Sequence, residues 1–125
     1  MEANGSLEIL VVDDSEESRV LVRAFLKSTA HQLTQAEDGL RGLQLLQSKS
    51  FDLAFVDIEM PLMDGIEMVA QYRAWEAQQG RSEVYLVALT GHKDFMCEGF
   101  NRSLNKPIKK ADLLEVINTW CSNRG

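Results

Sequence analysis

The sequence predicts a single α/β domain built on a parallel β-sheet that helices cover on both faces. Short, continuous apolar runs alternate with amphipathic stretches of helical spacing along the chain, which is the pattern of repeated strand–helix units. The clearest run, residues 51–57 (FDLAFVD), is apolar at five of its seven positions, as expected of a strand buried on both faces. A chain of 125 residues with 45% hydrophobic content is long enough for one core and short for two.

The first strand is predicted at residues 7–12 (LEILVV), and a helix follows it to about residue 28. Ser15 favours a helix start because its hydroxyl can accept a hydrogen bond from a first-turn amide, while Glu16 and Glu17 suit the positive end of the helix. This helix has an apolar stripe at helical spacing, which comprises Val20, Leu21, Ala24 and Phe25.

The middle of the chain contains two further strand–helix pairs. A weaker strand is predicted at residues 31–36, and a short leucine-rich helix at residues 39–48. The side chains of that helix expected to face inward, fully or partly, are Leu40, Leu43, Leu45 and Leu46. After the strand at residues 51–57, a longer helix is predicted at residues 65–79, and Gly80 ends it because glycine readily adopts the left-handed conformation found after helices.

The last third of the chain contains two strands and one clear helix. The strands are predicted at residues 83–90 and 102–105. Residues 91–100 between them leave room for only a turn or two of helix. The closing helix is predicted at residues 109–121, and its inward stripe comprises Leu113, Leu114, Ile117 and Trp120.

Five strands connected in this way predict a flavodoxin-like (βα)5 sheet in the order 2-1-3-4-5, doubly wound, with a shortened or irregular fourth helix. Strands one and three are then neighbours at the centre of the sheet. Their carboxyl ends carry Asp13, Asp14 and Asp57. Strands four and five bring Thr90 and Lys106 to the same edge, where open parallel sheets hold their functional groups.

These five side chains together predict a phosphoryl-transfer site. Crowded carboxylates repel one another unless a cation joins them, and a set of oxygen ligands suits Mg²⁺. Mg²⁺ can offset the charge of a transferred phosphoryl group. Asp57, at the centre, would be the nucleophile that becomes an acyl phosphate. Lys106 and Thr90 can donate hydrogen bonds to phosphoryl oxygens.

Each of these residues also has a simpler explanation when taken alone. An aspartate at a strand end is usually a solvated group or a helix cap, and Asp13 and Asp14 before Ser15 could form only a capping cluster. Lys106 before a proline could be an ordinary surface lysine. All five residues at one edge of one sheet are better explained by a site than by separate coincidences.

The chain resembles a response-regulator receiver domain of two-component signalling over residues 7–120. The resemblance lies in four stretches, which are LEILVVDDS, FDLAFVDIEMPLMDG, VALTG and NKPI. The stretch RAWEAQQGRSEVYLVALTG is also similar to the receivers of hybrid sensor kinases.

The resemblance implies that Asp57 accepts the phosphoryl group and that Thr90 and Lys106 contact it afterwards. The implied Mg²⁺ ligands are Asp13, Asp14, Asp57 and the backbone carbonyl oxygen of Glu59. The implied donor is a phosphohistidine on a sensor histidine kinase or a histidine phosphotransfer protein. The implied activity is phosphorylation from a donor followed by slow hydrolysis, and the chain is otherwise not expected to be an enzyme.

Two features depart from the family pattern and predict an atypical output face. Thr90 and Lys106 are sixteen residues apart, about a helical turn and a half less than the family pattern, and the deficit falls in residues 91–99. Ser103 occupies the position, three before the lysine, where the family usually has an aromatic residue that turns inward on phosphorylation. A serine has too little apolar surface to report that movement by burial.

Composition limits the other possibilities. A net charge of −6 and a pI of about 4.9 argue against binding to nucleic acid or an anionic membrane. Cys97 and Cys121 lack metal-site spacing, so two thiols in a cytoplasmic protein are expected, although a disulfide is not excluded. Residues 1–6 are predicted to be a disordered leader, residues 7–122 the domain and residues 123–125 a tail. The output partner is a protein that the sequence does not identify.

Two alternatives to the phosphoacceptor remain open. A phosphohydrolase of the haloacid dehalogenase type also uses a strand-end aspartate, but it needs a second aspartate where this chain has Glu59, and it carries a cap domain. A receiver-like module that binds proteins without phosphorylation would fit Ser103 and the short segment after Thr90, but not the complete acidic set.

Overall fold

The computed structural model describes residues 6–124, which form five β-strands and four α-helices. In chain order the elements are β1 Glu8–Val12, α1 Glu16–Leu26, β2 Gln32–Ala36, α2 Gly39–Ser48, β3 Leu53–Asp57, α3 Gly65–Gln79, β4 Tyr85–Thr90, β5 Arg102–Asn105 and α4 Lys110–Arg124. Residues 1–5 of the predicted leader lie outside the described residues, and Ser6 donates its hydroxyl to the carbonyl oxygen of Ala30 (3.0 Å). Of the predicted tail, residue 125 is also outside them.

The five strands form one parallel sheet in the order β2-β1-β3-β4-β5, which confirms the predicted flavodoxin-like topology. β1 and β3 are adjacent at the centre, with Val12 opposite Val56. Asp57 is opposite Leu89 of β4, and Thr90 is opposite Asn105 of β5. The ends of four strands therefore meet at one edge of the sheet.

Two apolar layers hold the sheet, one on each face. Alternate residues of β1 and β3 point to opposite sides, so that Phe55 packs in the layer formed with α1 and α4, whereas Val56 packs in the layer formed with α2 and α3. Every residue of β3 is buried. This double coverage explains why the strand sequence is continuously apolar rather than alternating.

The buried stripes of α1 and α2 differ in part from the prediction. Val20 and Ala24 of α1 are exposed, and the buried residues are Val22 and Leu26, with Leu21 and Phe25 partly buried beside them. Rotating the stripe in this way turns the larger side chains toward the sheet, which buries more apolar area.

On α2 the prediction for Leu40 is wrong, because its side chain is 55% exposed. Leu43 and Leu46 are buried, and Leu45 is partly buried. Leu40 lies in the first turn of the helix.

The connection between β4 and β5 contains turns and bends over residues 91–101, with no helix assigned in it. The predicted irregular fourth helix is thus reduced to an irregular segment, and four helices replace the five of the family pattern. Asp94 and Gly99 have left-handed backbone angles, with φ of 59° and 100°. Such residues interrupt a right-handed helix, and the segment is too short to restart one.

Arg73 of α3 fastens the far end of this connection to the body of the domain. Its Nε donates to the carbonyl oxygen of Gly99 (2.9 Å), and its two terminal nitrogens donate to Glu76 (2.9 Å) and to Asn101 Oδ1 (2.8 Å). Asn101 Oδ1 also accepts the Leu86 amide (2.7 Å). Arg73 therefore makes two hydrogen bonds from α3 to the connection, and a third to Glu76 within α3.

None of the helices within residues 6–124 has the length and apolar character needed to cross a membrane.

Candidate acidic metal site

Three carboxylates lie together at the carboxyl ends of β1 and β3. Asp13 and Asp14 follow β1, and Asp57 ends β3. One oxygen of each lies within 4.8 Å of the others. Asp13 and Asp57 are only 0% and 5% exposed, whereas Asp14 is exposed. The three predicted acids are therefore brought together, two of them in a buried setting where an uncompensated charge is costly.

Asp13 is fixed from several directions. Its Oδ1 accepts the Ser15 amide (2.9 Å), and its Oδ2 lies 2.9 Å from Lys106 Nζ. Its backbone carbonyl oxygen accepts Arg19 Nη1 (2.7 Å), a contact that the sequence reasoning missed. Spacing alone could not reveal it, because the turn between β1 and α1 decides which side chains of the helix reach back.

Few hydrogen bonds and positive charges offset the negative charge of the buried Asp57 carboxylate. Its Oδ1 accepts the Glu59 amide (3.2 Å), and its Oδ2 is 3.4 Å from Lys106 Nζ. The pKa of Asp57 is raised to about 6; burial is the largest cause and the charge of Asp13 adds to it, while the Glu59 amide and Lys106 oppose the rise. One lysine thus serves two buried carboxylates, and a further cation would stabilise the set.

The ammonium group of Lys106 is held in its charged form. Burial lowers its pKa, but the hydrogen bond that Lys106 donates to Asp13 and the charges of Asp13 and Asp57 outweigh this effect, and the pKa is raised. The Lys106 amide donates to the Thr90 carbonyl oxygen (2.8 Å), and the peptide bond to Pro107 is cis. The backbone therefore holds the lysine next to the end of β4.

Thr90 ends β4 and is 2% exposed. Its hydroxyl oxygen accepts the His92 amide (3.0 Å), and a hydroxyl that accepts one bond keeps its hydrogen for donation. Asn105 Nδ2 donates to the His92 carbonyl oxygen (3.1 Å). Asn105 stands in the NKPI stretch, but its role in holding this turn was not predicted.

The side chain of Glu59 lies beside that of His92. The Glu59 carboxylate is 3.3 Å from His92 Nε2, and both side chains are largely exposed. Its amide, in contrast, donates to Asp57. The role predicted for its carbonyl oxygen as a metal ligand stays a prediction.

The donor set suits a hard divalent cation. Asp13, Asp14 and Asp57 offer carboxylate oxygens on one side of an open edge, and Mg²⁺ prefers a few carboxylates together with water or phosphate oxygens. The shortage of positive charge around Asp57 is a second reason for such an ion to bind here.

Comparison with known proteins identifies the family. The model of the response regulator receiver domain matches residues 9–118. This chain is a member of that family. Among curated relatives, it is 32% identical over 118 residues to sensor protein GacS of Pseudomonas syringae pv. syringae, which covers 90% of this chain and 13% of that protein.

A second relative is hybrid signal transduction histidine kinase I of Dictyostelium discoideum, which is 30% identical over 123 residues, covering 90% of this chain and 7% of that protein. The receiver domain therefore spans only a small part of these relatives. The similarity confirms the predicted resemblance to receivers of hybrid sensor kinases.

Solved receiver domains have the same fold. The receiver domain of Saccharomyces cerevisiae Ssk1, crystallised with the histidine phosphotransfer protein Ypd1, superposes with a TM-score of 0.87 at 25% identity and covers 95% of this chain and 91% of that one. The receiver domain of sensor histidine kinase PA1611 from Pseudomonas aeruginosa PAO1 gives 0.80 at 26% identity, with 92% and 97% covered. That structure has a magnesium ion in its active-site cleft.

Ser103 of this receiver domain contacts the connection between β4 and β5. Its hydroxyl donates to the carbonyl oxygen of Phe95 (3.3 Å). The Phe95 ring meets the Phe100 ring edge-on, with centroids 5.9 Å apart, and both rings are partly buried. Ser103 thus joins β5 to the connection between β4 and β5.

Proposed function

We propose that this receiver domain accepts a phosphoryl group from a phosphohistidine onto Asp57 with the help of Mg²⁺. The observation that carries the proposal is the buried Asp57 carboxylate, grouped with Asp13 and Asp14 and 3.4 Å from Lys106 Nζ. The donor is a sensor histidine kinase or a histidine phosphotransfer protein. The output is a change in protein contacts, and the domain does not turn over many substrate molecules.

In the transfer step, a carboxylate oxygen of Asp57 attacks phosphorus while the bond from phosphorus to the donor imidazole breaks. The imidazole leaves with the bonding electron pair and takes up a proton. Mg²⁺ held by Asp13, Asp14, Asp57 and the carbonyl oxygen of Glu59 would supply positive charge beside the phosphoryl oxygens.

Side chains of the protein bind the transferred phosphoryl group and limit its hydrolysis. The Lys106 ammonium, now shared by Asp13 and Asp57, is within reach of a phosphoryl oxygen on Asp57. The Thr90 hydroxyl can donate to another phosphoryl oxygen. Burial of Asp57 excludes most water from the carboxylate, which is consistent with slow hydrolysis of the acyl phosphate.

Two relatives support the choice of metal and donor. The PA1611 receiver domain holds its magnesium ion in the active-site cleft, and the Ssk1 receiver domain was crystallised with a histidine phosphotransfer protein. A receiver-like module without phosphorylation is the second candidate, favoured by Ser103 and by the missing helix after β4. A phosphohydrolase is less well supported, because the residue two positions after Asp57 is Glu59 and not the second aspartate that this class needs.

Acetyl phosphate labelling tests these candidates. The protein is incubated with acetyl phosphate and Mg²⁺, and its intact mass is measured. We expect a gain of one phosphoryl group that depends on Mg²⁺ and is absent in Asp57→Asn. Asp64→Asn is a matched control, because Asp64 caps α3 through the Glu67 amide (2.8 Å) and asparagine caps helices equally well.

Each other outcome contradicts the proposal. Labelling that persists in Asp57→Asn would place the phosphoacceptor elsewhere. No gain in mass from acetyl phosphate or from a phosphohistidine donor would favour the unphosphorylated module. Steady turnover of phosphomonoesters would favour the phosphohydrolase.

A further inference from the structure

An exposed apolar surface lies beside the acidic site. It comprises Leu40, Pro61, Leu62 and Met63, and we name it the Leu62 patch. The Leu62 side chain is 103% exposed and the Leu40 side chain 55% exposed. The patch borders a groove of about 270 Å³ whose charged lining residues, Asp38 and Glu67, are both acidic. Two fully or largely exposed leucines in one groove are unusual for a surface with no partner.

Leu62 is also held in a strained backbone conformation. Its φ is 70°, and the Met63 amide donates to the Pro61 carbonyl oxygen (2.8 Å) across it, which is a tight three-residue turn. A bulky residue is rare in this region of the backbone, where glycine and asparagine are preferred. Leucine is therefore unfavourable for the backbone at this position, and its exposed side chain buries no apolar area within the domain.

The Leu62 patch has a fixed position relative to Asp57. A Cβ atom on Gly65 would lie 2.4 Å from the Asp57 carbonyl oxygen, so α3 starts against the end of β3. A Cβ atom on Gly39 would lie 2.5 Å from the Met63 carbonyl oxygen, so α2 starts against the loop that carries Leu62. The patch and the acidic site consequently share one rigid edge of the sheet.

We propose that the Leu62 patch is a docking surface for the protein that carries the phosphohistidine. This inference rests on the proposed function, because a donor that reaches Asp57 must lie against the same edge. An apolar side chain of the donor would cover Leu62 and Leu40, and basic side chains would face Asp38 and Glu67. A second copy of this chain fits less well, because its net charge is −6 and two acidic rims repel each other.

Two substitutions at Leu62 separate docking from folding. Leu62→Asn removes the apolar side chain and suits the left-handed backbone, so the variant should fold normally. Leu62→Met keeps an apolar side chain and serves as the matched control. Each protein is labelled with acetyl phosphate and, separately, with phosphorylated Ypd1 at concentrations well below saturation.

We expect Leu62→Asn to lose about tenfold in the rate of transfer from Ypd1, equivalent to about 1.4 kcal/mol of binding, and to keep its acetyl phosphate labelling. Leu62→Met should transfer at nearly the rate of the natural sequence, and Leu40→Asn should show a smaller loss. The loss in Leu62→Asn should diminish as the Ypd1 concentration rises, because docking affects binding and not the chemical step.

Several results would overturn the docking proposal. One is a rate of transfer from Ypd1 to Leu62→Asn equal to the rate for the natural sequence. Another is that acetyl phosphate labels the natural sequence but Ypd1 does not. A dimer of the natural sequence that Leu62→Asn dissociates in sedimentation would assign the patch to a second copy. Failure of acetyl phosphate to label any of the proteins would instead overturn the proposed function.

Discussion

The end of β3 and the connection between β4 and β5 contribute to the same edge of the sheet, but they are built differently. Beside Asp57, a Cβ atom on Gly65 would come within 2.4 Å of a backbone oxygen, whereas a Cβ atom on Gly91 would meet nothing within 4 Å. The backbone that carries Asp57 is therefore closely packed against the start of α3. The connection that follows Thr90 is open at Gly91, although Gly99 packs closely against Val69, and Arg73, Ser103 and Asn105 form side-chain hydrogen bonds to it.

The largest expected effect comes from adding a methyl group to Gly65, and the same change at Gly91 provides the comparison. Gly65→Ala should lower the free energy of unfolding by about 3 kcal/mol, because the new Cβ atom overpacks against the Asp57 carbonyl and the backbone of Ile58. Gly91→Ala should change it by less than about 0.5 kcal/mol. The measurement is urea unfolding of both variants followed by circular dichroism.

Gly91→Ala is the matched control, because it makes the same chemical change at the same edge of the sheet. Equal losses of stability in the two variants would contradict the contrast, since they would show that the connection is as closely packed as the end of β3.

The next effect concerns Arg73, which joins α3 to the connection. Arg73→Met should lower the free energy of unfolding by about 2 kcal/mol, because Glu76 is 3% exposed and would lose its charged partner. Amide hydrogen exchange around Gly99 and Asn101 should also become faster, because both lose a hydrogen bond to the arginine. Urea unfolding and exchange mass spectrometry measure the two effects.

Arg102→Met provides the comparison for this prediction. Arg102 pairs with Glu115, whose side chain is 56% exposed, and exposed pairs contribute about 0–1 kcal/mol. If both arginine variants lost the same small stability, with exchange around Gly99 unaltered, Arg73 would not be what fastens the connection.

The same contrast explains how much could be predicted from the sequence. The acidic end of β3 was predictable because continuous apolar runs identify buried parallel strands, and the carboxyl ends of such strands meet at one edge. Asp13, Asp14, Asp57 and Lys106 accordingly lie together. Their neighbours Arg19 and Asn105 were missed, since their contacts depend on how individual turns direct side chains.

The connection between β4 and β5 was predictable only in its irregularity. Its length excluded a full helix, but no periodicity indicates that Ser103 bonds to Phe95 or that Arg73 reaches Gly99. These contacts join residues 8 and 26 positions apart through single polar groups, and composition carries no signal for them. The exposure of Leu40 was missed for a similar reason, because apolar spacing shows that a helix is amphipathic but not which residues of its first turn are covered.

The smallest expected effect is on how the free energy of unfolding depends on pH. Two groups at opposite ends of the sheet, His31 and Asp57, change it in opposite directions. Near the start of β1, His31 Nδ1 accepts the Leu7 amide (3.1 Å). Burial lowers the pKa of His31 below 6.5, and the charge of Asp52 partly offsets this. At the other end, the pKa of Asp57 is raised to about 6.

The signs follow from which state binds more protons. Below pH 6.5 the unfolded chain protonates His31 more readily than the folded chain, so this histidine lowers stability as the pH falls. Asp57 raises stability as the pH falls through about 6 toward 3.8, because the folded chain then binds the extra proton.

Comparison with His31→Asn isolates the histidine, because the amide oxygen can still accept the Leu7 amide and does not titrate. From about pH 7.5 to about pH 5.5, without Mg²⁺, the natural sequence should lose stability relative to this variant in urea unfolding. In an Asp57→Asn background the opposing carboxylate is absent, so the loss should become visible in the absolute free energy of unfolding. Parallel pH curves for the natural sequence and His31→Asn would show that the histidine titrates alike in the folded and unfolded chains.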